Sequence, residues 1–311
     1  MNVDSVMRAI EASGIGPVAA EEGARLVQAF ADGLDAYPDT QWETVAVEVP
    51  WFMKLQPKTV VVGVQDRLAR DPHEGQLWGC EWKSKGEPQM KKDGTPYAGQ
   101  GEADWLAEIS ADIQLRIYAL AHQRARFIMA DGVRQIDVQV PHILVRAVVK
   151  ATPAYLWPRT PEAGCFTFPQ PWLDATERAL IVAAEEIRAA RTTGNVPWAL
   201  PGLHCTNKYR RLCDYHGPFC SKGVHPTGSA ITSADSTDPG WKALEAAQVD
   251  LQDPEVVVLS ASSFGTFQQC GEQYRILIGG LGPGQDSMAL DMGTAMHAGI
   301  AQLFRDMMQN S

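Results

Sequence analysis

Asp66, Glu81 and Lys83 are the residues whose types and spacing could do chemistry in this chain. Glu81 and Lys83 stand two positions apart, so on a strand both project from one face while Cys80 and Trp82 project from the other. Two carboxylates close to a lysine can hold a hard divalent cation and orient a water molecule. That combination suits hydrolysis of a phosphodiester. A Glu-x-Lys triplet is common on surface strands and carries little weight alone; the order of the segments around this one is what adds weight.

Those segments are the elements that must position the three side chains. Val60 to Asp66 is an apolar run ending in a carboxylate, and Leu77 to Lys83 is a second such run. The polar stretch Asp71-Pro72-His73-Glu74-Gly75 separates them, so the two read as a hairpin with Asp66 and Glu81 at neighbouring places. Thr44 to Pro50 alternates like a strand leading into that hairpin. Asp112 to Ala121 has the spacing of an amphipathic helix, which sets Gln114 and Tyr118 one turn apart on one face. Val3 to Ile10, Ala19 to Tyr37 and Ala175 to Arg191 show helical spacing too. Ile136 to Val149 reads as a strand region interrupted by Pro141, hence as two short strands or an edge. The polar stretch from Gly86 to Asp104, with Tyr97, is a long loop of the kind that covers active sites.

With Gly63-Val64-Gln65-Asp66, Glu81-Trp82-Lys83 and Gln114-Leu115-Arg116-Ile117-Tyr118 in that order, the chain resembles the PD-(D/E)XK nuclease superfamily. The resemblance is to the RecB-like branch that includes CRISPR-associated and phage iron–sulfur exonucleases. It covers most of the chain, with loose spacing between motifs that are individually weak. One departure is large: segments resembling the family's opening motifs stand at the end of this chain. Leu259 to Cys270 resembles the opening Ser-x-Ser…Cys helix, and Gly293-Thr294-Ala295-Met296-His297 resembles the helix that carries a metal-binding histidine. The motif order is therefore rotated, as in a circular permutation, which a fold tolerates when the old ends can be joined and the new ones lie at the surface. The Gly-, Ser-, Thr-, Asp- and Pro-rich stretch from Ser221 to Pro254 is the expected joint. The other reading, a second nuclease copy beginning near Leu259, is disfavoured because the first copy lacks its own histidine and leading cysteine.

The six cysteines fall into two kinds. Cys80, on the strand face opposite Glu81, and Cys165, just before Phe166, read as small core side chains. Cys205, Cys213 and Cys220 share a polar loop, separated by seven and six residues. Cysteines gathered in such a loop of an intracellular protein are more often metal ligands than disulfides. Thiolates suit either a [4Fe-4S] cluster or a structural zinc, and His204 and His216 keep zinc open. The family resemblance supplies Cys270 as a fourth ligand and favours the iron–sulfur cluster.

Composition bounds the rest. A chain of 311 residues with 45% hydrophobic content can bury a large core. It shows neither a long apolar run nor a signal-peptide pattern, so the expectation is a cytoplasmic protein, in the host cytoplasm if phage-encoded, with no membrane partner. The net charge of −10 argues against a protein that coats DNA through a broadly basic surface. Local basic clusters remain at Lys83-Ser84-Lys85, Lys91-Lys92 and Lys208-Tyr209-Arg210-Arg211, as solvated surface or as DNA contacts.

Together these readings imply an α/β fold with a restriction-endonuclease-like core, a central mixed β-sheet flanked by helices, circularly permuted and carrying a Cys-ligated cluster subdomain. Residues 1–220 would form the nuclease core with the cysteine loop, 221–254 a linker, and 255–311 the permuted motifs that complete the same domain. The function implied is a metal-dependent DNA exonuclease of phage or bacterial recombination or repair. Asp66, Glu81 and His297 would hold Mg²⁺ or Mn²⁺, the imidazole favouring Mn²⁺. Lys83 would serve the attacking water, and Gln114 and Tyr118 would orient Lys83 or the scissile strand. The alternative is a non-catalytic or assembly-dependent DNA-binding subunit working with recombination or CRISPR-adaptation proteins.

Overall fold

Apolar runs rich in valine and aromatic residues from Glu43 onward build three successive strands, β1 (Glu43–Gln56), β2 (Thr59–Arg70) and β3 (Leu77–Gly86). The computed structural model describes residues 3–33, 36–136, 138, 140–151, 153–193, 239–250, 253, 255–269 and 288–309. The other strands are β4 (Arg126–Met129), β5 (Gly132–Gln135), β6 (His142–Lys150), β7 (Tyr155–Trp157), β8 (Cys165–Thr167) and β9 (Val257–Leu259). The helices are α1 (Val3–Ala12), α2 (Pro17–Gly33), α3 (Glu102–Ser110), α4 (Ile113–Arg124), α5 (Gln170–Thr193), α6 (Pro239–Ala246), α7 (Ala261–Gln269) and α8 (Met288–Gln309). The fold is α/β, a mixed central sheet flanked by helices.

By compactness the chain divides into two units, residues 1–49, 64–170 and 286–311 in one, and 50–63 with 171–285 in the other. In the first, the sheet runs β5-β4-β1-β2-β3-β6-β7, with β8 also on β6. β2 and β3 pair antiparallel from Arg67↔Cys80 to Arg70↔Leu77, whereas β3 and β6 pair parallel from Trp78↔His142 to Gly86↔Lys150. A parallel neighbour needs a crossover connection, and the chain between β3 and β6 supplies it with α3 and α4. In the second unit, β9 pairs parallel with the start of β2 at Thr59↔Val257. There α5 is tied down by Arg188, whose Nε donates to the Glu255 carbonyl at 2.9 Å.

The core of the first unit lies on the face of β3 that carries Cys80 and Trp82, under α1, α2 and α8. Small residues let α2 and α8 approach closely: a Cβ on Gly23 would come within 2.3 Å of the Ala295 Cβ, and one on Gly299 within 2.5 Å of Val27. Phe304 stacks on Trp82 at 5.6 Å between ring centroids, and Phe30 meets both rings edge-on. Two arginines are buried here. Arg67 donates to the carbonyls of Asp39 and Trp42 at 3.1 and 2.8 Å, and Arg146 donates to Asp39 Oδ1 at 2.5 Å.

Several expectations are corrected. Ile136 to Val149 does not form two short strands or an edge: β6 is a single interior strand, paired with β3 on one side and with β7 and β8 on the other. Pro141 stands immediately before its first residue, so the missing N–H falls outside the ladder. β1 does not stop at Pro50 but continues to Gln56, and Glu48 takes the left-handed region (φ 48°) two residues before that proline. The helix read as Ala19 to Tyr37 ends at Gly33. Cys165 is exposed, at the start of the three-residue strand β8, and is no core residue. Cys80 is buried, and burial pushes its thiol up to about 12. Among the described residues no helix is long and apolar enough to cross a membrane.

Candidate active site

The opposite face of β3 carries Glu81 and Lys83, and α4 lies against it. Asp112 caps α4 by accepting the Gln114 N–H at 2.8 Å, which fixes where the helix begins and hence where Gln114 points. Lys83 Nζ donates to Gln114 Oε1 at 2.8 Å, and Gln114 Nε2 donates to the Tyr118 hydroxyl at 3.1 Å one turn on. Lys83 Nζ also lies 3.5 Å from Glu81 Oε2. Five of the six catalytic and metal-site residues expected from the sequence (Glu81, Lys83, Gln114, Tyr118 and Asp66) thus come from β2, β3 and α4.

The sixth comes from the far end of the chain. His297, on α8, places Nδ1 3.5 Å from Asp66 Oδ2, although 231 positions separate them. Gly293 belongs to the same helix. Cys205, Cys213, Cys220 and Cys270 lie outside the described residues.

Asp66 and Glu81 lie at neighbouring places across the hairpin, as alternation sets them, but the pairing around them is irregular. The regular β2–β3 ladder reaches only Arg67↔Cys80. Beyond that point the Trp82 N–H is bonded at 2.7 Å to Asp66 Oδ2, so a side chain takes a donor that a continued ladder could use. Gln65 then contacts Glu81, donating from Nε2 to Glu81 Oε1 at 2.6 Å and to the Cys80 carbonyl at 3.1 Å. His122 of α4 meets Gln65 Oε1 through Nε2 at 3.1 Å. Gln65 and His122 join the site in addition to the residues that the motifs mark. The signal available was a glutamine inside an otherwise apolar strand, where a buried amide needs partners.

Electrostatics separate the two carboxylates. Glu81 is held well above the usual carboxylate range, first by burial and then by the negative charge of Asp66. Burial also acts to raise Asp66, but the charges of His297 and Lys83 outweigh it, and its value falls. For His297, burial opposes the charge and Asp66 more than offsets that, so its value rises. Tyr118 is pushed well up, by burial and then by the two carboxylates, and remains a neutral phenol.

The Asp66–His297 pair has a consequence for stability. A raised histidine contributes stability that is present below its ordinary value of 6.5 and lost as pH rises through the raised one. A lowered aspartate contributes above its ordinary 3.8 and loses that as pH falls through the lowered value. The metal-free protein should therefore lose melting temperature as pH rises above about 6.5, and His297→Gln should flatten that slope. Thermal melts in chelator check it, and identical slopes for the two proteins would show that the pair is not formed.

Asp66, Glu81 and His297 offer the hard oxygen and imidazole donors that Mg²⁺ or Mn²⁺ accepts. A carboxylate buried beside another is the electrostatic condition a divalent cation relieves. Among the described residues no three His, Cys, Asp or Glu side chains converge as a ready-made cage; Glu81 contacts Gln65 and Lys83, and Asp66 contacts the Trp82 N–H and His297. Compared with known proteins, the chain matches no family model, no curated protein and no solved structure.

Proposed function

We propose that this chain hydrolyses DNA phosphodiester bonds with the help of Mg²⁺ or Mn²⁺, on a permuted restriction-endonuclease-like core, and that it acts as an exonuclease. The observation that carries the reading is the Lys83 ammonium, held between the buried Glu81 carboxylate at 3.5 Å and Gln114 at 2.8 Å, in a site that also contains the Asp66–His297 pair. Buried carboxylates and a positioned cation cost stability, and structure alone gives no reason to gather them.

Asp66, Glu81 and His297 would hold the metal, which when bound supplies Lewis-acid stabilisation of charge developing on the phosphate. Lys83, one-quarter exposed, points its donors to where a water or phosphate oxygen can reach them. Gln114 fixes the direction of Lys83, and Tyr118 fixes Gln114. The neutral Tyr118 keeps its proton, so its part is orientation rather than proton transfer.

The test is incubation of the purified protein with end-labelled linear and closed circular DNA, with Mn²⁺, with Mg²⁺ and with chelator. Metal-dependent release of nucleotides from linear DNA alone is expected. Cutting of circular DNA would keep the nuclease and remove the exonuclease. Binding without hydrolysis under every metal would overturn the reading in favour of a DNA-binding subunit.

A further inference from the structure

The buried contact between Gln65 and His122 stands behind Glu81 and has no part in the reading above. We propose that Gln65 and His122 are positioning residues for Glu81: the Gln65 amide, anchored on the Cys80 carbonyl and satisfied at its oxygen by His122, donates to the Glu81 carboxylate and so holds it aimed for a divalent cation. This rests on the reading of Glu81 as a metal ligand.

The argument is one of donors and acceptors in a place without water. Gln65 and His122 are both fully buried. Gln65 gives both N–H donors away, to Glu81 Oε1 at 2.6 Å and to the Cys80 carbonyl at 3.1 Å, so its Oε1 must accept from whatever meets it. What meets it is His122 Nε2 at 3.1 Å. That nitrogen must therefore carry the proton, which makes His122 the neutral Nε2–H tautomer. Burial and the neighbouring His142 push its pKa down to about 3, in keeping with a neutral ring, and Nδ1 has no hydrogen-bond partner. A lone Nδ1 acceptor in an apolar site costs less than a stranded N–H or a second charge beside Glu81 would.

A flipped Gln65 amide would turn its oxygen against the Cys80 carbonyl, which can only accept, so that carbonyl sets the amide, the His122 Nε2–H satisfies the amide oxygen, and the amide holds the carboxylate. The site is also shaped for this pair. A Cβ on Gly79 would fall 2.7 Å from both Gln65 Oε1 and His122 Nε2, so only glycine leaves room for their contact. Three elements thus contribute: Gln65 from β2, Gly79 and Glu81 from β3, and His122 from α4.

Two measurements test this. In ¹⁵N-histidine spectra of the metal-free protein at neutral pH, His122 should show the neutral Nε2–H pattern, assigned by its loss in His122→Leu. A charged ring or an Nδ1–H tautomer overturns the proposal whether or not the protein binds metal. Mn²⁺ titration, followed by electron paramagnetic resonance, is then compared across variants. Gln65→Met, His122→Leu and Gly79→Ala should each weaken Mn²⁺ binding about tenfold or more, the usual cost of losing a ligand's supporting hydrogen bonds. At saturating Mn²⁺ the KM for DNA should stay near wild type. His122→Gln, whose amide returns an N–H donor at the reach of Nε2, should recover most of the affinity, which a merely structural role would not predict. Wild-type Mn²⁺ affinity in Gln65→Met and His122→Leu, with Glu81→Gln impaired, would sink this inference and leave the metal site standing. Unchanged affinity in Glu81→Gln itself would sink both.

Discussion

Lys83→Met protein is expected to fold like wild type and to lose metal-dependent DNA hydrolysis by about a thousandfold or more, within the range set by removing a positioned transition-state donor or proton-transfer group. Methionine keeps most of the lysine's apolar stem, so packing changes little. What disappears is a cation 3.5 Å from Glu81 and 2.8 Å from Gln114, at the one-quarter-exposed end of the site. Glu81 already resists ionisation because of burial and Asp66, and losing the ammonium removes a charge that favours its ionised form. Glu81→Gln and Asp66→Asn should match the loss for a different reason, since each gives up a carboxylate ligand. Steady-state rates at several Mn²⁺ concentrations tell the two apart: the Lys83 defect persists at high metal, whereas the carboxylate defects shift with it. Hydrolysis within a few-fold of wild type in Lys83→Met would show that the ammonium is not at the reacting centre.

Much of this arrangement was legible in the sequence wherever one periodicity governs one element. Period two along β3 sets Cys80 and Trp82 against Glu81 and Lys83, and the structure puts the first pair in the core and the second toward α4. Period 3.6 along Asp112 to Ala121 gives the Gln114–Tyr118 contact, and Asp112 proves to be the cap. What alternation could not give is the place where two strands stop pairing. The departure near Asp66 depends on a side chain competing for the Trp82 N–H, a long-range contact with no local signature. The same departure brings Gln65 to Glu81, and an uncharged amide in an apolar strand carries no local mark of that partner. Pro141 misled because a proline next to a strand and a proline within one look alike in a sequence. Cys165 misled because apolar neighbours do not guarantee burial at the start of a three-residue strand. The nearness of His297 to Asp66 was suggested by resemblance; nothing in the local pattern of either segment brings the ends of the chain together.

That nearness depends on how α8 is seated, and Phe304→Ala should unseat it at a cost of about 3–5 kcal/mol. Phe304 is fully buried, stacks on Trp82 with only 10° between the rings, and carries the Arg67 guanidinium 4.0 Å above its centroid. Truncation therefore leaves a cavity, removes an aromatic stack and takes the facing ring from a buried cation, three losses that point the same way. Phe304→Leu keeps most of the volume and should cost roughly 1–1.5 kcal/mol. His297 precedes Phe304 by seven residues, about two helical turns, so both lie on nearly the same face of α8. The ring that packs on Trp82 is thus also what holds the imidazole toward Asp66. Urea unfolding should show a large fall in midpoint for Phe304→Ala with an unchanged slope, a small one for Phe304→Leu, and weaker Mn²⁺ activation in step with the first. A midpoint shift in Phe304→Ala no larger than that of Phe304→Leu would mean that α8 is held elsewhere and that the Trp82 face does not place His297.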